Sequence, residues 1–167
     1  RSSTLDWSPV ARAHGIDLGF EHEADVEVVA RADLLADLIG NLVDNAIRYA
    51  GDGAVVTVRI GREGGHARLD VIDDGPGIAS QEREAVFERF YRSSATESVE
   101  GSGLGLSIVR EIVRVHEGEI ALARAAAAAG LPFTLSTASL IVVMLSRRIG
   151  GPPSRAARNA WPRTMAG

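Results

Sequence analysis

Three polar side chains recur at helical spacing in a stretch whose apolar residues predict a helix with one buried face. When each residue of the range 31–50 is advanced by about 100°, Asn41, Asn45 and Arg48 fall in one sector beside the apolar stripe, with Tyr49 at its boundary. An asparagine oxygen is a hard ligand that Mg²⁺ accepts together with phosphates and water, and a neighbouring arginine suits a phosphate. The alternative is a solvent-exposed polar face that binds nothing.

A carboxylate followed by two glycines closes a predicted strand at residues 67–72. Asp73 is an acceptor that suits the exocyclic amino group of adenine, whereas guanine presents an acceptor oxygen at that place and would be rejected. Gly75 and Gly77 allow the backbone to approach a bound ring closely. The alternative is an Asp-rich turn with a purely structural role.

A glycine-rich stretch opens a further predicted helix. Gly101, Gly103 and Gly105 are spaced two residues apart, and free backbone N–H groups at the start of a helix form an anion site that suits phosphates. The spacing fits neither a Walker loop, which also needs a lysine, nor a dinucleotide fingerprint. The alternative is a flexible hinge.

The composition excludes several other chemistries. The 167 residues include no cysteine and no lysine, so disulfides, thiolate metal sites, cysteine nucleophiles and Walker-type loops are excluded. A net charge of −4 gives no reason to expect nucleic acid as a partner. The longest apolar run, at residues 140–145, is far shorter than the roughly 20 residues of a membrane span. We expect no signal peptide, because no apolar run opens the sequence. We therefore expect this fragment to contact neither nucleic acid nor membrane.

Hydrophobic periodicity predicts the elements that must position these residues. Helices are predicted at residues 31–50, 81–92 and 104–116, and a loop at residues 93–103. Strands are predicted at residues 16–20, 26–29, 56–60, 67–72, 133–135 and 140–145. This mixture indicates an α+β sandwich with helices on one face of a mixed sheet.

Four motifs follow one another along the chain, at residues 41–49, 73–77, 86–92 and 101–106. Together they resemble the catalytic ATP-binding domain of bacterial two-component sensor histidine kinases, within the gyrase, chaperone, histidine kinase and MutL-like ATPase superfamily. The match covers about residues 5–118. It implies a Bergerat-type fold, which is a two-layer α/β sandwich with a mixed, mostly antiparallel sheet backed by helices and ATP beneath a mobile lid.

The resemblance also implies roles for individual residues. Asn45 resembles the Mg²⁺ ligand, Asn41 lines the same site, and Arg48 resembles the phosphate-side cation; these three form the expected catalytic set. Tyr49 resembles a base-side contact, and Asp73 resembles the carboxylate that reads adenine. The other residues expected to contact ATP are Gly75, Gly77, Ile78, Phe90, Arg92, Gly101, Ser102, Gly103, Leu104, Gly105 and Leu106.

Two further features of the resemblance concern the lid and the reaction. Phe87 and Phe90 resemble the aromatic pair that precedes a lid at residues 93–100, and Arg92 is expected to reach phosphate. In the ATPases of the superfamily, the position matching Asn41 carries a glutamate that activates water. Since an asparagine takes up no proton at neutral pH, its presence favours phosphoryl transfer over hydrolysis.

The implied function is donation of the γ-phosphoryl group of Mg²⁺-ATP to a histidine on a separate dimerisation hairpin, with a response regulator downstream. His14, His22, His66 and His116 lack the setting of such a phosphoacceptor. We therefore expect a cytoplasmic fragment of a longer sensor whose parent is anchored in the inner membrane. The alternative is an ATP-binding regulatory module similar to anti-sigma-factor kinases, or a degenerate nucleotide-binding fragment without transfer activity.

Charge divides the chain near residue 119. Residues 1–119 contain all 22 acids, whereas residues 120–167 contain six arginines and no acid. We expect a catalytic domain over residues 1–137, with residues 1–10 as a linker from the missing hairpin, and a divergent, partly disordered basic tail over residues 138–167. Residues 118–137 also resemble a helix–strand piece of FMN-dependent α-hydroxy-acid oxidases, so a fusion or a frameshifted end is the alternative for this part of the chain.

Overall fold

The computed structural model describes residues 6–93, 99, 101–124 and 139–145. The helices in these ranges are α1 (Ser8–Ala13), α2 (Ala32–Ala50) and α3 (Gly105–Val115), with short 3₁₀ turns at Ser80–Glu82 and Ala85–Phe87. The strands are β1 (Asp17–His22), β2 (Val55–Glu63), β3 (His66–Asp73), β4 (Glu119–Arg124) and β5 (Ser139–Leu145). None of the described helices is long and apolar enough to cross a membrane.

The strands form one sheet in the order β1, β2, β3, β5, β4. β1 runs parallel to β2, and all other neighbouring pairs are antiparallel. The hairpin between β2 and β3 turns at Gly64 and Gly65, whose φ angles of +56° and +85° suit glycine. The mixed, mostly antiparallel sheet confirms the predicted fold class.

α2 and α3 cover one face of this sheet. The predicted helix at residues 31–50 is confirmed, and its buried side chains recur at three- and four-residue steps: Leu38, Leu42, Val43, Ala46, Ile47 and Ala50. Alternate residues of the strands join the same core, namely Val56, Val58, Val71, Ile141 and Val143. The two layers confirm the predicted α/β sandwich.

The connection from α3 to β4 is tight and depends on a glycine. Gly118 follows Glu117, whose φ is +52°. A β-carbon on Gly118 would lie 2.5 Å from the backbone oxygen of Met144 and 2.9 Å from a side-chain carbon of Leu145. A larger residue would therefore push this turn away from β5.

The predicted strand at residues 26–29 is wrong. After β1, the amide of Glu23 donates to the carbonyl of Ile60 at 2.9 Å, and the chain then leaves the sheet. Val28 packs against the core without joining the sheet, so it gives the apolar signal of a strand without strand pairing.

The predicted helix at residues 81–92 is also wrong. The chain forms two separate 3₁₀ turns there, at Ser80–Glu82 and Ala85–Phe87. Glu88 is extended, with ψ at 150°, and Phe90 has a φ of +66°. Neither angle belongs to a right-handed helix, so a helix cannot continue through this stretch.

The described elements reach into the predicted linker and into the predicted tail. α1 begins at Ser8, inside the predicted linker of residues 1–10, and buries Ala11. The predicted strand at residues 140–145 is confirmed as β5, which pairs with β3 and β4 on its two sides. The sheet therefore continues past residue 137, where the domain was expected to end. The predicted strand at residues 133–135 and the rest of the predicted tail, residues 146–167, lie outside the described residues.

Candidate functional site

The polar residues of the first motif share one face of α2. Asn41 and Asn45 lie one turn apart and are half-buried, Arg48 is exposed on the next turn, and Tyr49 is half-buried beside it. The helix forms because its apolar residues reach the core at helical spacing, and this spacing leaves a continuous side to polar residues. The structure therefore brings the four predicted residues together.

The amide of Asn41 is held in one orientation. Its Nδ2 donates to the carbonyl oxygen of Asp37 at 2.7 Å, so its Oδ1 is left as an acceptor on the other side of the amide group. A β-carbon on Gly105, the first residue of α3, would lie 3.2 Å from this Oδ1. The first motif and the glycine-rich motif, which are far apart in sequence, thus meet side chain against backbone.

A second contact joins the same two motifs. A β-carbon on Gly101 would lie 3.4 Å from the hydroxyl oxygen of Tyr49. Ser102 is exposed, Leu104 is half-buried, and Leu106 is buried in the core. The loop therefore lies beside the polar face of α2, while Leu106 anchors the helix that follows. The first N–H groups of that helix have no partner within the helix, which suits a phosphate.

The second motif lies at the C-terminal end of α2. Asp73, the last residue of β3, is half-buried, and its Oδ1 accepts the amide of Gly75 at 3.0 Å. A β-carbon on Gly75 would lie 2.6 Å from the α-carbon of Ala50, so only glycine lets the turn pack against α2. Gly77 has a φ of +75°, and Ile78 after it is half-buried. This turn holds Asp73 close to the end of α2.

Asp74 positions this turn, a role that the sequence did not indicate. Its Oδ1 accepts the amide of Val55 at 2.8 Å, and its own amide donates to the carbonyl of Val55 at 3.3 Å. These bonds fasten the turn to the start of β2 and thereby fix Asp73. The sequence feature that could have indicated this role is the pair of adjacent aspartates. The carboxylate of Asp74 binds the neighbouring strand β2, and that of Asp73 binds Gly75.

Arg48 is paired along its own helix. Its Nε donates to Oδ2 of Asp44, one turn earlier, at 2.7 Å. The two side chains are 42% and 37% exposed, so water screens the pair, and such pairs contribute about 0–1 kcal/mol. Sequence reasoning assigned Arg48 to phosphate and missed this acidic partner, although the spacing of four residues is typical of helical ion pairs.

The segment after the second 3₁₀ turn lies against the glycine-rich loop. The amide of Phe90 donates to the carbonyl of Gly103 at 2.9 Å. Gly103 has a φ of +68°, and a β-carbon there would lie 2.8 Å from the backbone oxygen of Tyr91. Phe87 is buried, whereas Phe90 is 72% exposed. The two residues of the predicted aromatic pair are therefore divided between core and surface.

Arg92 lies where the predicted lid begins. Its Nη2 donates to the carbonyl oxygen of Val99 at 2.7 Å. Nearby, the hydroxyl of Tyr91 donates to Glu82 at 2.8 Å, and this hydrogen bond raises the pKa of Tyr91 above its ordinary value. Most of the predicted lid at residues 93–100 lies outside the described residues, so the lid stays a prediction.

The donors on α2 suit a hard cation only in part. Within the part of the chain that the structure describes, no group of three or more His, Asp and Glu side chains is placed to hold a metal ion. Asn41 and Asn45 offer neutral amide oxygens, which suit Mg²⁺ when phosphates and water supply its other ligands. The residues therefore fit Mg²⁺ that arrives with a nucleotide better than a permanently resident ion.

Comparison with known proteins agrees with this geometry. The family described as histidine kinase-, DNA gyrase B- and HSP90-like ATPase matches residues 30–140. The sensor protein kinase PmrB of Pseudomonas aeruginosa is 47% identical over 110 residues, which are 66% of this chain and 23% of that protein. The signal transduction histidine-protein kinase/phosphatase MprB of Mycobacterium ulcerans is 42% identical over 104 residues, which are 62% of this chain and 19% of that protein. The chain thus spans less than a quarter of each of these curated relatives.

Solved structures of histidine kinases share the fold of this chain. A mycobacterial sensor histidine kinase MprB superposes with a TM-score of 0.72 at 34% identity, covering 86% of this chain and 91% of that one. The catalytic domain of the histidine kinase ThkA superposes with a TM-score of 0.69, covering 84% and 86% of the two chains, and its 24% identity shows the shared fold alone. The chain therefore belongs to the family of histidine kinase-, DNA gyrase B- and HSP90-like ATPases, and within it to the domains of sensor histidine kinases.

Proposed function

We propose that the chain binds Mg²⁺-ATP and donates the γ-phosphoryl group to a histidine on the dimerisation hairpin of its parent sensor kinase. The observation that carries this proposal is the approach of three glycines to the C-terminal half of α2. Gly105 lies against Asn41, Gly101 against Tyr49, and Gly75 against the backbone of Ala50. Two separate motifs, the turn at Gly75 and the glycine-rich loop, thus bring backbone against the second half of one helix, which supports a nucleotide site there.

The end of this site that holds Asp73 suits the adenine base. An ionised carboxylate accepts hydrogen bonds only, so it matches the exocyclic amino group of adenine and opposes the carbonyl oxygen of guanine. Asp74 and Gly75 fix the turn on which Asp73 lies, because both are bonded within it or to β2. Tyr49, the residue before the last residue of α2, is assigned to the base side of the site because it precedes Ala50, against which this turn packs.

The other end of the site suits the phosphates. Gly101 and Gly105 bring the start of α3 to the polar face of α2, where backbone N–H groups favour negative charge. Asn45 would hold Mg²⁺, with Asn41 lining the same place and Arg48 on the next turn. The bound ion would supply neutralisation of phosphate charge.

The chain's own residues favour transfer to a histidine over transfer to water. The lone pair of a neutral imidazole nitrogen attacks the γ-phosphorus, the bond from this phosphorus to the β,γ-bridging oxygen breaks, and ADP leaves with that oxygen. Asn41 takes no proton at neutral pH, so it does not activate water. Positioning and charge neutralisation supply the catalysis, as is usual for phosphoryl transfer.

The acceptor histidine is assigned to the rest of the proposed parent protein, because the four histidines of this chain have other places in the fold. His14 caps α1, His22 ends β1, and His66 begins β3. His116 caps α3, and its Nδ1 is hydrogen bonded to the carbonyl of Ile112 at 2.8 Å. None of these four lies on a helical hairpin within the described ranges. We propose that the parent kinase supplies the hairpin and an inner-membrane anchor, that a response regulator acts downstream, and that this domain lies in the cytoplasm.

The deciding experiment is incubation with radiolabelled ATP, first with the chain alone and then with the parent's hairpin added. We expect no label on the chain and acid-labile label on the hairpin. Labelling should be slow, because the separate pieces lack the covalent link that would give an effective concentration in the millimolar range. A hairpin without its acceptor histidine is the control. Acid-labile label on the isolated chain would contradict the assignment of its histidines, and ATP binding without transfer to the hairpin would favour the regulatory module.

A further inference from the structure

Asp44 and Arg48 form an ion pair along α2, the helix whose Asn41 and Tyr49 lie against the glycine-rich loop. Nε of Arg48 donates to Oδ2 of Asp44 at 2.7 Å. Asp44 immediately precedes Asn45, and it lies one turn before Arg48. The carboxylate of Asp44 therefore places a negative charge beside the proposed nucleotide site, although the phosphates of the nucleotide are themselves strongly negative.

This carboxylate affects a nucleotide in two ways. As an ion-pair partner, Asp44 competes with a phosphate for the guanidinium of Arg48, which offers five N–H donors in a planar fork. As a charge, it repels the phosphates directly. Both effects grow with the negative charge of the ligand, so they act more strongly on a triphosphate than on a diphosphate.

We propose that Asp44 is a positioning residue that holds Arg48 along α2 and, by competing with phosphate for its guanidinium, limits the preference of the site for ATP over ADP. The inference rests on the proposed function, because it requires that Arg48 meets phosphate. The consequence concerns both nucleotides: by weakening the contact of Arg48 with phosphate, Asp44 keeps the triphosphate from being bound more tightly than turnover can use, and it lets ADP leave more readily. Asp44 sets the balance between the two.

The expected effect is small, because the pair is partly exposed. Surface ion pairs contribute up to about 1 kcal/mol, which corresponds to a change of at most about fivefold in a binding constant. The variant Asp44→Asn keeps the shape of the side chain and removes its charge. We expect it to bind Mg²⁺-ATP about two- to fivefold more tightly, with a smaller gain for Mg²⁺-ADP, so that the ratio of the two affinities rises.

Calorimetric titration of the full chain with Mg²⁺-ATP and Mg²⁺-ADP tests this inference. Asp44→Glu should restore the original ratio, because a glutamate four residues before an arginine also pairs with it. The matched control is Glu111→Gln on α3, which removes one charge from an exposed carboxylate that pairs with Arg114. This control should leave the ratio of the two affinities unchanged.

The double variant Asp44→Asn with Arg48→Gln separates the two effects of the carboxylate. If Asp44 acts through Arg48, the gain from Asp44→Asn shrinks when Arg48 is absent. An undiminished gain would show simple repulsion and overturn the inference, as would an unchanged ratio in Asp44→Asn itself. Failure of the unaltered chain to bind either nucleotide would instead overturn the proposed function, and the inference with it.

Discussion

The side-chain oxygen of Asn41 lies so close to Gly105 that a β-carbon on this glycine would be only 3.2 Å away from it. This relationship joins α2 to the first residue of α3, and it requires the amide orientation set by the Asp37 carbonyl. The two helices therefore meet where the side-chain amide of Asn41 lies against the backbone of Gly105. Any side chain at residue 105 would contact this amide.

Replacing Gly105 should weaken nucleotide binding without lowering the free energy of unfolding. In Gly105→Ala, the new β-carbon displaces the Asn41 amide, and we expect about tenfold weaker binding of Mg²⁺-ATP, the loss typical of one charge-assisted hydrogen bond. The free energy of unfolding should be equal or slightly higher, because alanine is the better helix former by up to about 1 kcal/mol. Calorimetry and urea unfolding measure the two quantities.

The control for this variant is Gly19→Ala in β1. There the new β-carbon meets Thr57 Oγ1 at an ordinary 3.9 Å, so we expect unchanged nucleotide affinity. Equal affinity in Gly105→Ala and the unaltered chain would show that the contact with Asn41 has no part in nucleotide binding.

Asp73 should determine the choice of base. In Asp73→Asn, the side-chain oxygen can still accept the Gly75 amide, so the turn is kept, but the added N–H₂ group opposes the amino group of adenine. We expect ADP binding to weaken by about 1–3 kcal/mol, with a smaller difference between ADP and GDP. Calorimetric titration with both nucleotides measures this difference.

The neighbouring aspartate provides the matched control for that experiment. Asp74→Asn keeps an oxygen that can accept the Val55 amide, and this residue has no proposed contact with the base. We expect its preference for ADP over GDP to equal that of the unaltered chain. Equal affinity of the unaltered chain for ADP and GDP would remove the assigned role of Asp73.

Much of this site was predictable because its signals are local. The helix at Ala32–Ala50 has a strong apolar period and ends at Gly51, whose φ is +96°. Residue types at fixed spacing then indicated the polar face, the aspartate at the end of β3 and the glycine-rich loop. These features depend on neighbours within a few residues, which a sequence displays directly.

The features that were missed depend on contacts between distant segments. The position of β5 between β3 and β4 follows from pairing across long sequence separations, and no local pattern records it. The left-handed φ of Phe90 breaks a stretch that has helical periodicity, because its amide bonds to Gly103 instead of to a preceding turn. Tertiary contacts override local preference at both places.

The turn before β4 gives a prediction about stability alone. In Gly118→Ala, the β-carbon would lie 2.5 Å from the backbone oxygen of Met144, and neither backbone can move without disturbing the sheet. We expect the free energy of unfolding to fall by about 1–3 kcal/mol, as for other overpacked positions. The urea midpoint should fall with an unchanged slope, while the affinity of the folded fraction for nucleotide stays the same. A midpoint equal to that of the unaltered chain would contradict the tight packing of β4 and β5 at this turn.

Asn45 should act on nucleotide binding through Mg²⁺ rather than through the fold. It is half-buried on the polar side of α2, apart from the buried apolar residues of that helix, so Asn45→Ala should change the free energy of unfolding little. We expect the variant to bind ATP equally well with and without Mg²⁺, whereas the unaltered chain binds more tightly when Mg²⁺ is present, because the amide oxygen is one of the few protein ligands available to the ion.

Titration with a non-hydrolysable ATP analogue, with Mg²⁺ and then with a chelator, measures this dependence on the metal. The control is Asp37→Ala on the same helix, which removes an exposed side chain but keeps the backbone carbonyl that orients Asn41. It should retain the full effect of Mg²⁺. If Asn45→Ala instead lowers the free energy of unfolding of the nucleotide-free chain by about 2–5 kcal/mol, as the truncation of a core side chain does, Asn45 is a structural residue and the Mg²⁺ ligand must be sought elsewhere on this face.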